Sequence, residues 1–98
     1  MKVTYKNKNV EKTCTVYAIT KKEYGEKMAI KIHPRITELT AATSIEELTK
    51  NKIGRCHLLK GNRKNQYAMD IEHPYRLIFI EVENELQIVK VIEIVDYH

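Results

Sequence analysis

The last third of the chain constrains the fold most. Tyr75–Val82 carries Leu77, Ile78, Phe79, Ile80 and Val82, and residues 86–95 read LQIVKVIEIV. Both runs are rich in β-branched or aromatic residues and have strand length. The Glu-Asn-Glu at 83–85 between them is a polar break of hairpin length. Upstream, Gln66–Ile71 alternates, with Tyr67, Met69 and Ile71 on one side. Pro74 is tolerated at the head of the next strand, where no ladder bond is needed from it. Three antiparallel strands in a meander are therefore predicted. Their apolar face must be covered, and the rest of the chain has to supply the cover.

The first half offers helices for that purpose. Tyr24, Met28, Ile32, Ile36 and Leu39 step by helical intervals along Lys22–Thr43. Pro34 falls inside this stripe, removes a backbone donor and crowds the preceding turn, so a kink or break is expected near His33. Asn9–Ile19 also reads as helical, against the β-branched Thr13, Thr15 and Val16. Ser44 and Glu47 form a capping box for a short helix over Ile45–Thr49. Lys50–Arg55 is a basic connector into another extended segment, Cys56–Lys60, and Met1–Tyr5 is a candidate edge strand. Helices first and strands after is the α+β pattern, with the helices on one face of a small antiparallel sheet. The other face is left for a site. With 98 residues, the chain is expected to form one domain, 1–98.

Several function classes drop out. No apolar run approaches the ~20 residues of a membrane span, and the first twelve residues, MKVTYKNKNVEK, have no apolar core of a secretory signal. Cys14 and Cys56 lack CxxC spacing, so neither a structural zinc site nor a disulfide framework is expected. A cytoplasmic location and no membrane partner follow as expectations. GxGxxG, Walker, HExxH and GxSxG motifs are all missing from the sequence.

Charge is divided unevenly. Residues 1–64 hold fifteen Lys and Arg against six Glu, a net +9, and residues 65–98 hold two against seven, a net −5. A basic surface of this kind attracts phosphates, although solvated lysine-rich helix faces have the same composition. The candidate chemistry sits in the segment RCHLLKGNRKNQY, where His57 and Lys60 lie three apart before a Gly-Asn turn carrying Arg63 and Lys64. Arg76 interrupts an apolar strand, with Glu81 or Glu93 as a possible cross-strand partner, and the sequence closes on Asp96-Tyr97-His98. If the meander brings these groups to one concave face, imidazole, ammonium, guanidinium and phenol form a metal-free set for phosphodiester chemistry. One group would take a proton from a ribose 2′-hydroxyl, one would protonate the leaving 5′-oxygen, and cations would hold the phosphorane charge.

The run HLLKGNRKNQYAMDIEHPYRLIFIE, with the closing VIEIVDYH and the upstream TAATSIEEL, resembles the HigB-type toxins of the RelE/ParE superfamily, found in bacterial type II toxin–antitoxin modules. The resemblance covers residues 35–98 well and the first 34 loosely. It implies a RelE-like fold and a ribosome-dependent endoribonuclease, an mRNA interferase, that needs no cofactor. It also implies two partners besides the message and the ribosome's RNA: the ribosome itself and a HigA-like helix-turn-helix antitoxin. The implied catalytic residues are His57, Lys60, Arg76, Tyr97 and His98, with Asp96 in support, and no metal ligands. Arg63 and Lys64 would sit on RNA phosphates, and Lys50, Lys52 and Arg55 join them as the basic residues that bracket the site. His73, in a turn, is given no catalytic role. The same fold is compatible with a ParE-like inhibitor of DNA gyrase or a non-catalytic RNA-binding module.

Overall fold

The computed structural model describes residues 1–83 and 85–96. Asn84, Tyr97 and His98 lie outside the described residues. Four helices, α1 (Lys8–Thr15), α2 (Tyr17–Tyr24), α3 (Glu26–Ala41) and α4 (Ile45–Lys50), accompany five strands: β1 (Lys2–Tyr5), β2 (His57–Leu58), β3 (Gln66–Asp70), β4 (Tyr75–Glu83) and β5 (Ile88–Asp96). The strands form one sheet in the order β1-β5-β4-β3-β2. The meander β3-β4-β5 is antiparallel as expected. The sheet as a whole is mixed, because β1 lies parallel to β5 at the edge.

Residues facing the helices build one core. Met69 of β3, Leu77 and Phe79 of β4, and Val89 and Val91 of β5 pack with Met28, Ile32, Ile36 and Leu39 of α3 and Leu48 of α4. Burying each of these side chains is worth roughly 1.5–3 kcal/mol. The apolar stripe of the sequence is thus the core face, although Tyr24 belongs to α2 and not to the helix carrying the other four.

The breaks fall where backbone chemistry demands them. Val16, in an extended conformation (φ −108°, ψ 107°), separates α1 from α2. Gly25, at φ +96°, separates α2 from α3, a conformation that only glycine adopts readily. No break occurs at His33: α3 runs through Pro34. The missing bond is the one Pro34 would give to Ile30, whose residue is more than half exposed at 57%. Ile32 and Ile36 on either side of the proline are anchored in the core, and that packing outweighs the local cost. Ser44 caps α4 by accepting a hydrogen bond from the Glu47 amide at 3.1 Å. The segment expected to be extended over Cys56–Lys60 pairs with β3 only at His57 and Leu58.

A bulge in β5 decides which side chains reach the open face. Ile78 pairs with Glu93 while the adjacent Phe79 pairs with Val91, so Ile92 is the extra residue. That insertion keeps both Val91 and Ile94 against the core and turns Glu93 and Val95 to the opposite side.

Candidate functional site

Three cross-strand rows line up on the face away from the helices. His57 stands opposite Ala68, which is paired with Ile78 and, through it, Glu93. One row away, Arg76 stands opposite Asp70 on one side and Val95 on the other. The third row holds Gln66, Ile80 and Lys90. His57 and Arg76 therefore share a face, with β3 between their strands.

Arg76 does not pair with Glu81 or Glu93. Its Nε lies 3.1 Å from Asp70 Oδ1, because the β3–β4 register sets the two residues directly opposite each other. The other oxygen of the same carboxylate, Oδ2, lies 3.1 Å from Arg55 Nε. A third arginine, Arg35 of α3, donates from Nε to the backbone carbonyl of Asp70 at 2.5 Å and from Nη1 to Glu38 at 2.7 Å. Arg55, Asp70, His73 and Arg76 line a polar cavity of about 370 Å³. Two guanidinium groups converging on one carboxylate reproduce the arrangement that a phosphate would take.

Arg55 is placed by an unusual turn. Lys52, Gly54 and Arg55 have φ values of 52°, 58° and 54°, all in the left-handed region that L side chains avoid. At Gly54 the reason for glycine is also steric: a Cβ there would lie 2.8 Å from Arg35 Nε. The turn also orients His57, whose Nδ1 donates to the Arg55 carbonyl at 2.8 Å. The neutral ring then presents Nε2 as its proton acceptor.

Arg63 is not splayed toward solvent. From a 3₁₀ turn over Gly61–Arg63, its Nη1 donates to Gln66 Oε1 at 3.0 Å and pairs with Glu93 Oε2 at 3.1 Å. Gln66 is on β3 and Glu93 on β5, so the side chain spans β4. This accounts for the complete burial of Ala68 and Ile78 on a face that no helix covers. Lys60 is exposed at the start of that turn, and Lys50, Lys52 and Lys64 are exposed on α4 and the connecting segments. Asp96 is exposed at the end of β5, opposite Tyr75. Tyr97 and His98 lie outside the described residues. Sequence reading missed Asp70 and Arg35, and it named Glu93 only as a possible partner of Arg76, where the structure pairs it with Arg63. An aspartate ending an alternating strand was the available signal for the first.

The two cysteines play no part in this face. Burial pushes each thiol from 9.0 up to about 12, so both stay protonated and unreactive. Groups of three or more potential metal ligands are absent among the described residues. No helix among them is long and apolar enough to cross a membrane.

Neither a protein-family model nor a curated protein matches the sequence. Solved structures do match. The YoeB–YefM complex from Staphylococcus aureus aligns with a TM-score of 0.63 at 20% identity, over 100% of this chain and 97% of that one. The YoeB dimer from the same organism gives 0.61 at 22% identity, over 100% and 97%. A YoeB/ParE toxin from Agrobacterium tumefaciens gives 0.52 at 17%, over 100% and 99%. The chain therefore has the α+β fold of the YoeB and ParE toxins.

Proposed function

We propose that the protein is the toxin of a type II toxin–antitoxin module and that it cuts mRNA on the ribosome. The observation that carries this reading is the pair of arginines, Arg55 and Arg76, converging on one carboxylate beside an oriented imidazole on the open face. A pure binding surface has no need of a histidine with its tautomer fixed. In the reaction, a ribose 2′-oxygen attacks the adjacent phosphorus as the bond to the 5′-oxygen breaks. The 2′-hydroxyl proton goes to a base, and a second proton is delivered to the departing 5′-oxygen. His57 is suited to proton transfer through Nε2, and Arg76 and Arg55 to the charge on the phosphorane oxygens. Lys60, Tyr97 and His98 are the further candidates for proton transfer, with Asp96 in support. Lys50, Lys52, Arg63 and Lys64 would bear on RNA phosphates. For Arg63 this requires exchange of Glu93 for a phosphate.

The resemblance to HigB-type toxins supports a HigA-like helix-turn-helix antitoxin as partner. The likeness to a YoeB–YefM complex supports an antitoxin more generally. The test is expression of the protein followed by primer extension on a translated message, alongside a gyrase supercoiling assay. Cuts that appear only on translated message are expected, and they should weaken by at least about a hundred-fold in the His57→Gln variant. Gyrase inhibition without any cut would overturn this reading in favour of a ParE-like poison, a rival kept in view by the ParE-like neighbour.

A further inference from the structure

A second hollow lies at the β2 edge of the sheet, next to the face just described. It measures about 550 Å³, within the ~300–1,000 Å³ range of small-ligand sites. Leu58 and Tyr67 give it an apolar floor, and Lys52, Arg55 and His57 stand along its rim. Thr49 and Tyr67 also line an adjoining cavity of about 180 Å³, whose wall carries Glu46 and Glu81. The two together make a polarised groove, with cations at one end, carboxylates at the other and an aromatic ring between them.

The ring is held firmly. Tyr67 stacks on Phe79 with centroids 5.5 Å apart and planes 18° from parallel, and Phe79 is fully buried. Only the side away from Phe79 is available to a ligand. Burial, followed by the charge of Glu81 and then lesser contributions that include Glu46, pushes the Tyr67 hydroxyl above its ordinary value, consistent with both carboxylates lying close to the ring. On the floor of the groove, Leu58 remains half exposed at 51%.

We propose that this groove takes a guanine nucleotide of the RNA substrate, the base stacked on Tyr67 between the carboxylates and its phosphate at the cationic rim. Ionised carboxylates only accept hydrogen bonds, so the base must present donors to them. Guanine is the one common base with two adjacent donors, N1–H and the 2-amino group. Adenine and cytosine each offer an amino group beside an acceptor nitrogen, and uracil offers one N–H between two carbonyls. Stacking on a tyrosine supplies affinity for any base, and the carboxylates supply the choice. His57 belongs both to the rim of this groove and to the reaction face. The recognised guanine is therefore next to the bond that is cut. The substrate assignment rests on the ribonuclease reading above; the groove's preference for guanine does not.

An NMR titration of the full chain with GMP, AMP, CMP and UMP tests the groove without ribosomes. GMP should shift the amides of Thr49, Lys52, Leu58 and Tyr67 and bind at least about ten-fold more tightly than UMP. The double variant Glu46→Gln, Glu81→Gln should lose that preference and still fold, since both carboxylates are exposed. Tyr67→Leu should weaken all four nucleotides by about ten-fold. Should that variant fail to fold, Leu58→Asp, on the exposed floor, serves in its place. Equal binding of the four nucleotides, shifts that map elsewhere, or a preference that survives the double variant would each overturn the proposal. A protein that binds GMP here but cuts no message keeps the groove and loses the ribonuclease assignment. One that cuts message and ignores GMP loses only the groove.

Discussion

The Arg55 carbonyl oxygen accepts a hydrogen bond from Nδ1 of His57 at 2.8 Å. This single contact, made possible by the left-handed backbone at Arg55, leaves Nε2 as the imidazole's acceptor. His57→Gln should therefore reduce cleavage by about 10²–10⁴-fold, the usual worth of a general acid or base. Stability should change by less than about 1 kcal/mol, since the ring is not in the core. Primer extension on translated message gives the first quantity and a thermal melt the second.

Asp70 occupies both Arg55 and Arg76, so it competes with any phosphate for them. Asp70→Asn keeps the shape and removes the charge. The variant should bind single-stranded RNA about five- to ten-fold more tightly at low salt, with a steeper dependence of affinity on salt. The Arg55 pair is largely exposed and contributes little, whereas the Arg76 pair is three-quarters covered, so the loss in stability should be about 1–3 kcal/mol. Fluorescence anisotropy across a salt series measures the affinity. Weaker binding would mean that Asp70 holds the arginines in position and does not compete. Arg76→Lys, which keeps charge but loses the planar fork, should retain less than about a tenth of the cleavage activity, a barrier raised by ~1.4 kcal/mol or more.

Gly54 meets two demands at once: a φ of +58° and the close approach of Arg35. Gly54→Ala should cost about 1–2 kcal/mol for the left-handed backbone alone, and more if Arg35 must give way. Urea denaturation of Gly54→Ala, Arg35→Ala and the double variant separates the two contributions. A steric part makes the double variant more stable than the sum of the single effects predicts; simple additivity, or a double variant less stable than that sum, would rule it out.

Cys14 and Cys56 make the fold sensitive to alkali. Each thiol ionises at about 12 in the folded protein against 9.0 ordinarily. The unfolded chain thus gives up these protons first. Their contribution is fully present below pH 9 and declines as pH rises toward 12, by up to about 1.4 kcal/mol per pH unit for each group. Replacing both cysteines with Ala should flatten that decline, apart from the part due to the partly buried tyrosines: Tyr5, which burial, aided by Cys14 and Glu11, raises to about 12, and Tyr24 and Tyr67, which burial also raises. Denaturant melts from pH 8 to 11 check this. Iodoacetamide at pH 8 should leave both thiols of the folded protein unmodified.

The open face was legible only in part. The sequence named His57, Arg76 and the basic residues around them, because charged and titratable side chains stand out in an apolar strand. For Arg76 it left Glu81 or Glu93 open as possible partners and offered no sign of Asp70, the carboxylate with which the structure pairs it. Acids within reach along the sequence are many, and the one that pairs is chosen by strand register. For Arg63, expected on RNA phosphates, the sequence did not show that the turn folds back and ties it to Gln66 and Glu93. That outcome depends on the bulge at Ile92, which turns Glu93 to the open face and leaves no trace in the alternation of LQIVKVIEIV.

By itself the sequence determined the meander, the stripe from Met28 to Leu39 as core, and the cap at Ser44. These rest on periodicity and on bonds between near neighbours, which a linear pattern encodes directly. Tertiary structure decided that Pro34 stays within a helix, because the packing of Ile32 and Ile36 outweighs a local loss that the sequence shows alone. It decided that β1 adds in parallel, since pairing between residues more than eighty positions apart has no local signature. It also decided that Arg35, Arg55 and Arg76, from a helix, a turn and a strand, meet at Asp70. The partners of Asp70, two on its carboxylate and one on its backbone carbonyl, are set by what lies around it in space, and only the packed chain brings these three together.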